Sequence, residues 1–464
     1  MGRYKSLFEA YGTSESKALY EGWKNNINAV KSVDSKFTDE DGLKLAICLE
    51  NTKVQLDRAD QLYEATQPVD VGPFKKYAFD IITAVMPNLI AEEIVSVQPL
   101  KQKLGQIFYL KYLYGSNKGN IKKGDTMFGP YQVAPQGYDA NMYSSEFVDN
   151  EALGAGGEVS YVGNLAYVPL RPGTVSLDLG NGTVTDNGQG VLSGTGLEGT
   201  IDYATGEYSV GFSDGTTVAA SDPIAEYQYN LEAAPSTIPE VNVKVEERIV
   251  TARPRKLKAL YAFDSAYDLK MSQGIDIDQA LLEAISAEIK HEVDGEIMND
   301  IYLQAGLSST WDMTRPDYIS QKEHRETFIS EISSASNQIF QETRRAVGNY
   351  LIVGKKGADV LESLGEPRYK SASVGTLAGP HFAGTLDNKW KVFKNPFYAE
   401  NQYLIGYKGD LFLDAGYVYA PYLPVFATSL LMMEDFVGRR GFATSYGKRM
   451  LNNAVFVKGT ITEV

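Results

Sequence analysis

Between Asp125 and Val243 the chain sets sixteen Asp or Glu residues against a single base, Arg171. That stretch carries −15, which is also the net charge of all 464 residues, so the remainder balances to zero. Charge segregated in this way marks an acidic module set into a neutral body. Such a module repels nucleic acid and is expected to face away from it. Simple solubility is the plainer explanation of the same charge. Within the module, residues 151–215 hold 15 of the chain's 43 glycines. Runs at 167–170, 174–177 and 199–203 alternate with Gly, Asn and Asp turns, the pattern of a small all-β domain.

The rest of the chain reads differently. Leu281, Ile285, Ile289, Val293, Ile297 and Ile301 recur every four residues. That spacing predicts a long helix whose apolar stripe drifts around the axis and needs support from Leu282 and Met298. With Asp276 as N-cap and Gln279 as its partner, the helix would span roughly 40 Å and serve as a spine. Gly295 in its middle is a local weakness or a place where another backbone comes close. Near the start, Thr38 and Asp41 resemble a capping box, with Leu45, Leu49, Leu56 and Leu62 following at helical spacing. A linker is expected at 67–73. A second apolar segment runs over 74–98, and Pro87 is expected to end or kink its first helix. Further on, 106–114 reads as a strand, 323–347 as a helix and 350–353 as a buried strand. A short helix over 359–364 ends at Gly365. The last hundred residues read as aromatic-rich β structure.

Hydrophobic residues make up 43% and charged residues 22%, the composition of folded protein in roughly two to four domains. No apolar run is long enough for a membrane span. The start, Met1-Gly2-Arg3-Tyr4-Lys5, lacks a signal-peptide core, so a cytosolic origin is expected. One cysteine, Cys48, excludes intrachain disulfides and cysteine zinc sites. His291, His324 and His381 lie far apart, and His291-Glu292 lacks the second histidine of a zinc-protease helix. The glycine clusters at 180–182 and 188–190 lie between strands, so they read as hairpin turns rather than phosphate loops. Asp178 to Gly182 only faintly suggests calcium. No catalytic, cofactor or metal site is expected.

One pattern survives. Leu7-Phe8-Glu9-Ala10, Leu19-Tyr20-Glu21-Gly22 and Leu62-Tyr63-Glu64-Ala65 share the form Leu-x-Glu before a small residue. Composition alone gives on the order of one such match in a chain of this length. A fourth, Leu281-Leu282-Glu283-Ala284, falls inside the expected spine helix, which should protect it. Common helix fragments would also explain all four.

Several stretches resemble the major capsid proteins of T-even-like tailed phages. They are Pro87-Asn88-Leu89-Ile90, Val97-Gln98-Pro99-Leu100 and Gly105-Gln106-Ile107-Phe108, then Arg255-Lys256-Leu257-Lys258-Ala259, Asp268-Leu269-Lys270 and the Glu288-Ile289 and Glu296-Ile297 pairs. Thr343-Arg344-Arg345-Ala346-Val347-Gly348-Asn349, Gly384-Thr385-Leu386, Lys389-Trp390-Lys391-Val392, Gly406-Tyr407-Lys408-Gly409 and Ala420-Pro421-Tyr422 complete the set. The resemblance covers about 74–125 and 240–464, and the island at about 150–236 does not align.

The resemblance implies an α+β chain with the tailed-phage and herpesvirus capsid fold. Its parts are expected as a helical pro-segment at 1–64, an N-arm at 65–103, an E-loop from 104–149 and 237–262, and an inserted β domain at 150–236. A peripheral domain with the spine helix takes 263–314 and 423–464, and an axial domain takes 315–422. It further implies homo-hexamers in an icosahedral head, assembled in the host cytoplasm around double-stranded DNA without sequence-specific binding or membrane contact. A vertex protein, internal scaffold, maturation protease, portal and decoration proteins are the implied partners. That protease favours the Leu-x-Glu form, which makes Glu64–Ala65, Glu21–Gly22 and Glu9–Ala10 candidate cuts. Lys118, Lys122 and Lys123, in a polar Gly-containing loop, are candidate inter-subunit contacts. A pentameric vertex paralogue of the same fold is the nearer alternative. A sugar-binding adhesin built on the β island is the other class, opposed by the large α+β remainder.

Overall fold

The computed structural model describes residues 13–33, 37–62, 90–118, 121–127, 143–233, 238–262, 264, 271–272, 277–344, 346–372, 379–409, 416–428, 431–432 and 437–463. The chain divides into two compact units. One combines Met1–Leu110 with Val245–Val464, and the other is Lys111–Lys244.

The first unit holds a seven-stranded mixed sheet. Its strand order is Leu307–Asp312, Phe456–Thr462, Gln402–Gly406, Tyr350–Val353, Trp390–Lys394, His381–Leu386 and Tyr369–Ser371. All four residues of Tyr350–Val353 are buried, because side chains alternate between two covered faces. Leu351 and Val353 join the helix Gln321–Thr343 through Phe328, Ile332 and Ile339. Tyr350 and Ile352 join the long helix Ile277–Gln304 through Ile297 and Ile301. The apolar stripe behaves as its spacing predicts toward the carboxyl end. Ile289, Val293, Ile297, Met298 and Ile301 are buried, while Leu281 and Ile285 are only partly so. Gly295 faces the Phe397 ring rather than another backbone. The expected N-cap, Asp276, lies outside the described residues.

The long helix also packs on a second, five-stranded sheet. Strands Ser96–Val97, Tyr417–Ala427, Val437–Met450 and Arg253–Ala262 follow in that order, with Leu431–Met432 beside Val437–Met450. Ala259, Tyr419, Phe442 and Tyr446 meet the helix there. The helix Gln321–Thr343 opens with a full capping box between Ser320 and Glu323. It ends before the expected Val347, because Arg344 turns left-handed at φ 48°. The short helix Lys355–Leu364 stops at Gly365, whose φ of 64° suits glycine. Three amino-terminal helices, Thr13–Gly22, Lys24–Val33 and Asp39–Leu62, belong to this unit, as does the four-residue helix Ala91–Ile94, which gives way to a strand at Ser96. Thr38 does cap the third. Its backbone N–H donates to Asp41 Oδ2 at 3.1 Å, and the Asp41 N–H donates to Thr38 Oγ1 at 3.2 Å.

The second unit contains an eight-stranded antiparallel sheet. Its order is Phe147–Ala152, Ile224–Gln228, Ser176–Asp178, Thr183–Asp186, Val191–Gly194, Leu197–Ile201, Glu207–Phe212 and Ser160–Asn164. Tyr227, Tyr229, Leu177, Val184 and Leu192 are fully buried in its core. The run at 167–170 forms only a bridge, Leu170 to Tyr229. Strands Leu104–Tyr114 and Val241–Thr251 pair as a two-stranded ribbon.

Candidate assembly surfaces and processing sites

Glu21 and Gly22 close the first amino-terminal helix, and the next begins at Lys24. Glu21 is exposed and pairs with Lys24 at 3.0 Å. The bond between Glu21 and Gly22 therefore lies at an exposed helix junction, between the packed side chains of Tyr20 and Trp23. Glu9, Ala10, Glu64, Ala65 and the 67–73 linker lie outside the described residues. The fourth match, Leu281 to Ala284, sits within the long helix.

The lysine loop divides. Lys118 is corrected from a surface contact to an internal residue, since only 1% of it is exposed. Its ammonium donates to the Ser145 carbonyl and stands 5.3 Å from the Tyr229 ring centroid. A buried cation held by a carbonyl and a ring face is already satisfied inside its own unit. Lys122 and Lys123 are exposed. Their backbone amides are anchored by Asp125 Oδ2 at 2.9 Å and Asn117 Oδ1 at 2.7 Å, which fixes the turn and leaves the side chains at the surface.

The ribbon strand Val241–Thr251 carries an apolar feature that polar motifs do not reveal. Val241, Val243, Val245 and Ile249 occupy alternate positions, hence one face, and all four are exposed, Val243 by 60%. Leu104 and Phe108, likewise two-fold spaced on the paired strand, are exposed too. A two-stranded ribbon with an uncovered apolar row is marginal by itself, and exposed apolar rows are typical of interaction surfaces. The alternating valines at 241, 243 and 245 were the legible signal.

A second missed group joins the long helix to the five-stranded sheet. Glu292, Glu296 and Asp300 recur every four residues, on one helical face. Arg255 reaches Glu292 at 3.2 Å and also pairs with Glu296. Lys448 contacts Glu296 at 3.0 Å and Asp300 at 3.4 Å. Tyr446 donates to Glu296, and Tyr417 OH donates to Asp300 Oδ2 at 2.6 Å. Burial alone would raise the Glu296 pKa. Hydrogen bonds from Tyr446 and Lys448, with the charges of Lys448 and Arg255, outweigh it and hold the carboxyl below its usual range.

His324 stacks on Trp311, with its Nε2 3.0 Å from the Asp312 carbonyl. His381 Nδ1 lies 3.0 Å from the Gly379 carbonyl. Burial and the neighbouring Lys290 charge lower the pKa of His291. Among the described residues no cluster of three or more His, Cys, Asp or Glu fits a metal, and no helix is long and apolar enough to cross a membrane. The Asp178 carboxylate accepts from the Gly180 N–H at 2.8 Å, an ordinary turn contact.

The chain as a whole is similar to known proteins. The chain is 26% identical over 409 residues to the major capsid protein of Vibrio phage KVP40, covering 82% of this chain and 76% of that one. The major capsid protein of Enterobacteria phage T4 is 26% identical over 396 residues, covering 79% and 73%. Among solved structures, the capsid of Myoviridae phage XM1 matches at a TM-score of 0.34 and 6% identity, over 48% of this chain and 78% of that one. The family model described as major capsid protein Gp23 matches residues 71–463, so the chain belongs to that family of phage shell proteins.

Proposed function

We propose that the chain forms the wall of an icosahedral phage head as homo-hexamers, and that it works by assembly rather than catalysis. Assembly takes place in the host cytoplasm. A vertex protein, internal scaffold, maturation protease, portal and decoration proteins act as partners. The head encloses double-stranded DNA that the subunit does not read. The observation that carries this reading is the exposed apolar row Val241, Val243, Val245 and Ile249. It gives the ribbon a face to lay on a neighbouring subunit, as expected of an E-loop. Charge supports the placement of the inserted sheet on the outer surface, because −15 on 125–243 would repel packaged DNA. Cutting after Glu64 would leave 65–464 in the mature head, and the family match beginning at residue 71 fits that boundary.

A particle reconstruction tests the assembly reading. It should show six-fold rings with the eight-stranded sheet outside, and that sheet on the inner face would overturn the placement. Mass spectrometry of infectious particles tests the cut. A peptide running intact from Leu62 to Thr66 would end it.

A further inference from the structure

The helix Asp39–Leu62 is packed on two sides, in two different chemistries. Leu45, Ala46 and Leu49 form a small core with Ile27 and Val30, and Leu43 and Ile47 close against Leu19 and Tyr20. Trp23 Nε1 donates to Glu50 Oε2 at 2.9 Å, and Tyr20 OH donates to Asp39 Oδ1 at 3.0 Å. The three helices thus share an apolar core of their own. Asp41, Lys44 and Asn51 recur at spacings of three and seven, which places them on one helical face.

That polar face meets the body of the protein, where the helix packs on strand Tyr417–Ala427. Cys48 is fully buried and belongs to the small core of the three helices. Asp41 and Lys44 lie close enough to act on Glu92 and Lys408. The Asn51 amide nitrogen donates to both the Leu100 carbonyl at 2.8 Å and the Tyr422 carbonyl at 2.9 Å. Those carbonyls sit where a ladder runs out. Ser96–Val97 pairs with Val418 and Tyr419, Gln98 N–H reaches Tyr419 O, and Leu100 N–H reaches Pro421 O. One side chain then takes the next two acceptors. At the rim, Glu15 pairs with Lys101 at 2.9 Å. An apolar interior behind a polar seam is the make-up of a unit that separates, not of one continuous core.

We propose that residues 13–62 are a self-contained helical ligand of the body, keyed by Asn51, so that one cut beyond residue 62 leaves the module seated and only its dismantling lets it go. The Glu21–Gly22 bond then has a job distinct from the Glu64–Ala65 bond. Severing it leaves the packing of Leu19 and Tyr20 on Leu43 and Ile47, and the Glu15–Lys101 pair, on a short peptide no longer joined to the rest of the module. Cutting after Glu64 disconnects the module, and cutting after Glu21 undocks it. The order of these cuts in the phage rests on the processing reading above, but the seating does not.

The test inserts sites for two unrelated proteases into the full-length chain, one within 67–73 and one between Glu21 and Gly22. Native mass spectrometry and gel filtration follow each cut. After the first cut the amino-terminal fragment should stay bound. The Asn51→Asp change, which sets a carboxylate against two carbonyls, should lower the retained affinity by about tenfold or more, the scale of one to two lost hydrogen bonds. Asn51→Ala, which removes the donors without adding charge, should weaken it in the same direction. Unchanged circular dichroism in both variants separates release from misfolding. The second cut should free the fragment. Release of the unsubstituted fragment by the first cut alone would overturn the proposal. So would retention of both variants at the parent level, or retention after both cuts. Because neither protease is the phage's own, an uncut amino terminus in virions would refute the processing reading without touching this result.

Discussion

The Tyr350 ring lies across Gly406, its direct antiparallel partner, so closely that a β-carbon at position 406 would stand 2.3 Å from Tyr350 Cζ. Tyr350 is 2% exposed and packs with Ile352, Phe393 and Leu404, so the ring has nowhere to retreat. Gly406→Ala should therefore destabilise the first unit by about 1–3 kcal/mol, the usual range for overpacking. Denaturant unfolding of the purified subunit measures it, and an unchanged midpoint would show that the ring moves freely.

The exposed row on the ribbon predicts a separation between folding and assembly. Val243 is 60% exposed, so Val243→Glu should change subunit stability by no more than about 0.5 kcal/mol. It should nevertheless block particle formation, because the charge would be buried at the contact. Sedimentation of parent and variant under assembly conditions compares them directly. Normal particles from the variant would remove the row from the interface.

The long helix predicts a gradient along its length. Ile297→Ala and Ile289→Ala remove side chains that are 0% and 2% exposed, and each should cost about 2–5 kcal/mol. Leu281 is only partly buried, so Leu281→Ala should cost less than either. Equal losses at 281 and 297 would mean that the amino-terminal part of the helix is covered as tightly as the rest.

Glu296 makes stability depend on acid. Its folded pKa lies below its ordinary value of 4.5, so its contribution is present above that value and fades as pH falls through the lower folded pKa. Glu296→Gln should cost about 1–2 kcal/mol near pH 7, a figure already reduced for partial exposure. The gap between parent and variant should narrow as pH falls below 4.5. A gap independent of pH would mean that the cluster is held by shape and not by charge.

Local chemistry was readable where neighbours in sequence decide the outcome. Thr38 and Asp41 cap their helix because the partners are three residues apart, and Gly365 ends a helix because its own backbone allows it. Tyr350–Val353 announced burial on both faces through four consecutive large apolar residues. Distant partners were not readable. Lys118 looked like a solvated loop lysine, and its place inside depends on Ser145 and Tyr229. The Glu292, Glu296 and Asp300 face was visible as spacing, but its meaning came from Arg255 and Lys448 on other strands. The helix expected to reach Val347 stopped at Arg344, a non-glycine residue in a left-handed turn that no composition rule marks. The run at 167–170 failed as a strand where Pro169 cannot donate to a ladder.

Electron microscopy of the chain expressed alone and at high concentration tests the central claim most directly. The account predicts closed shells, tubes or sheets built from repeating rings, and their loss in Val243→Glu. A soluble monomer that forms no ordered assembly at any concentration or salt would contradict it.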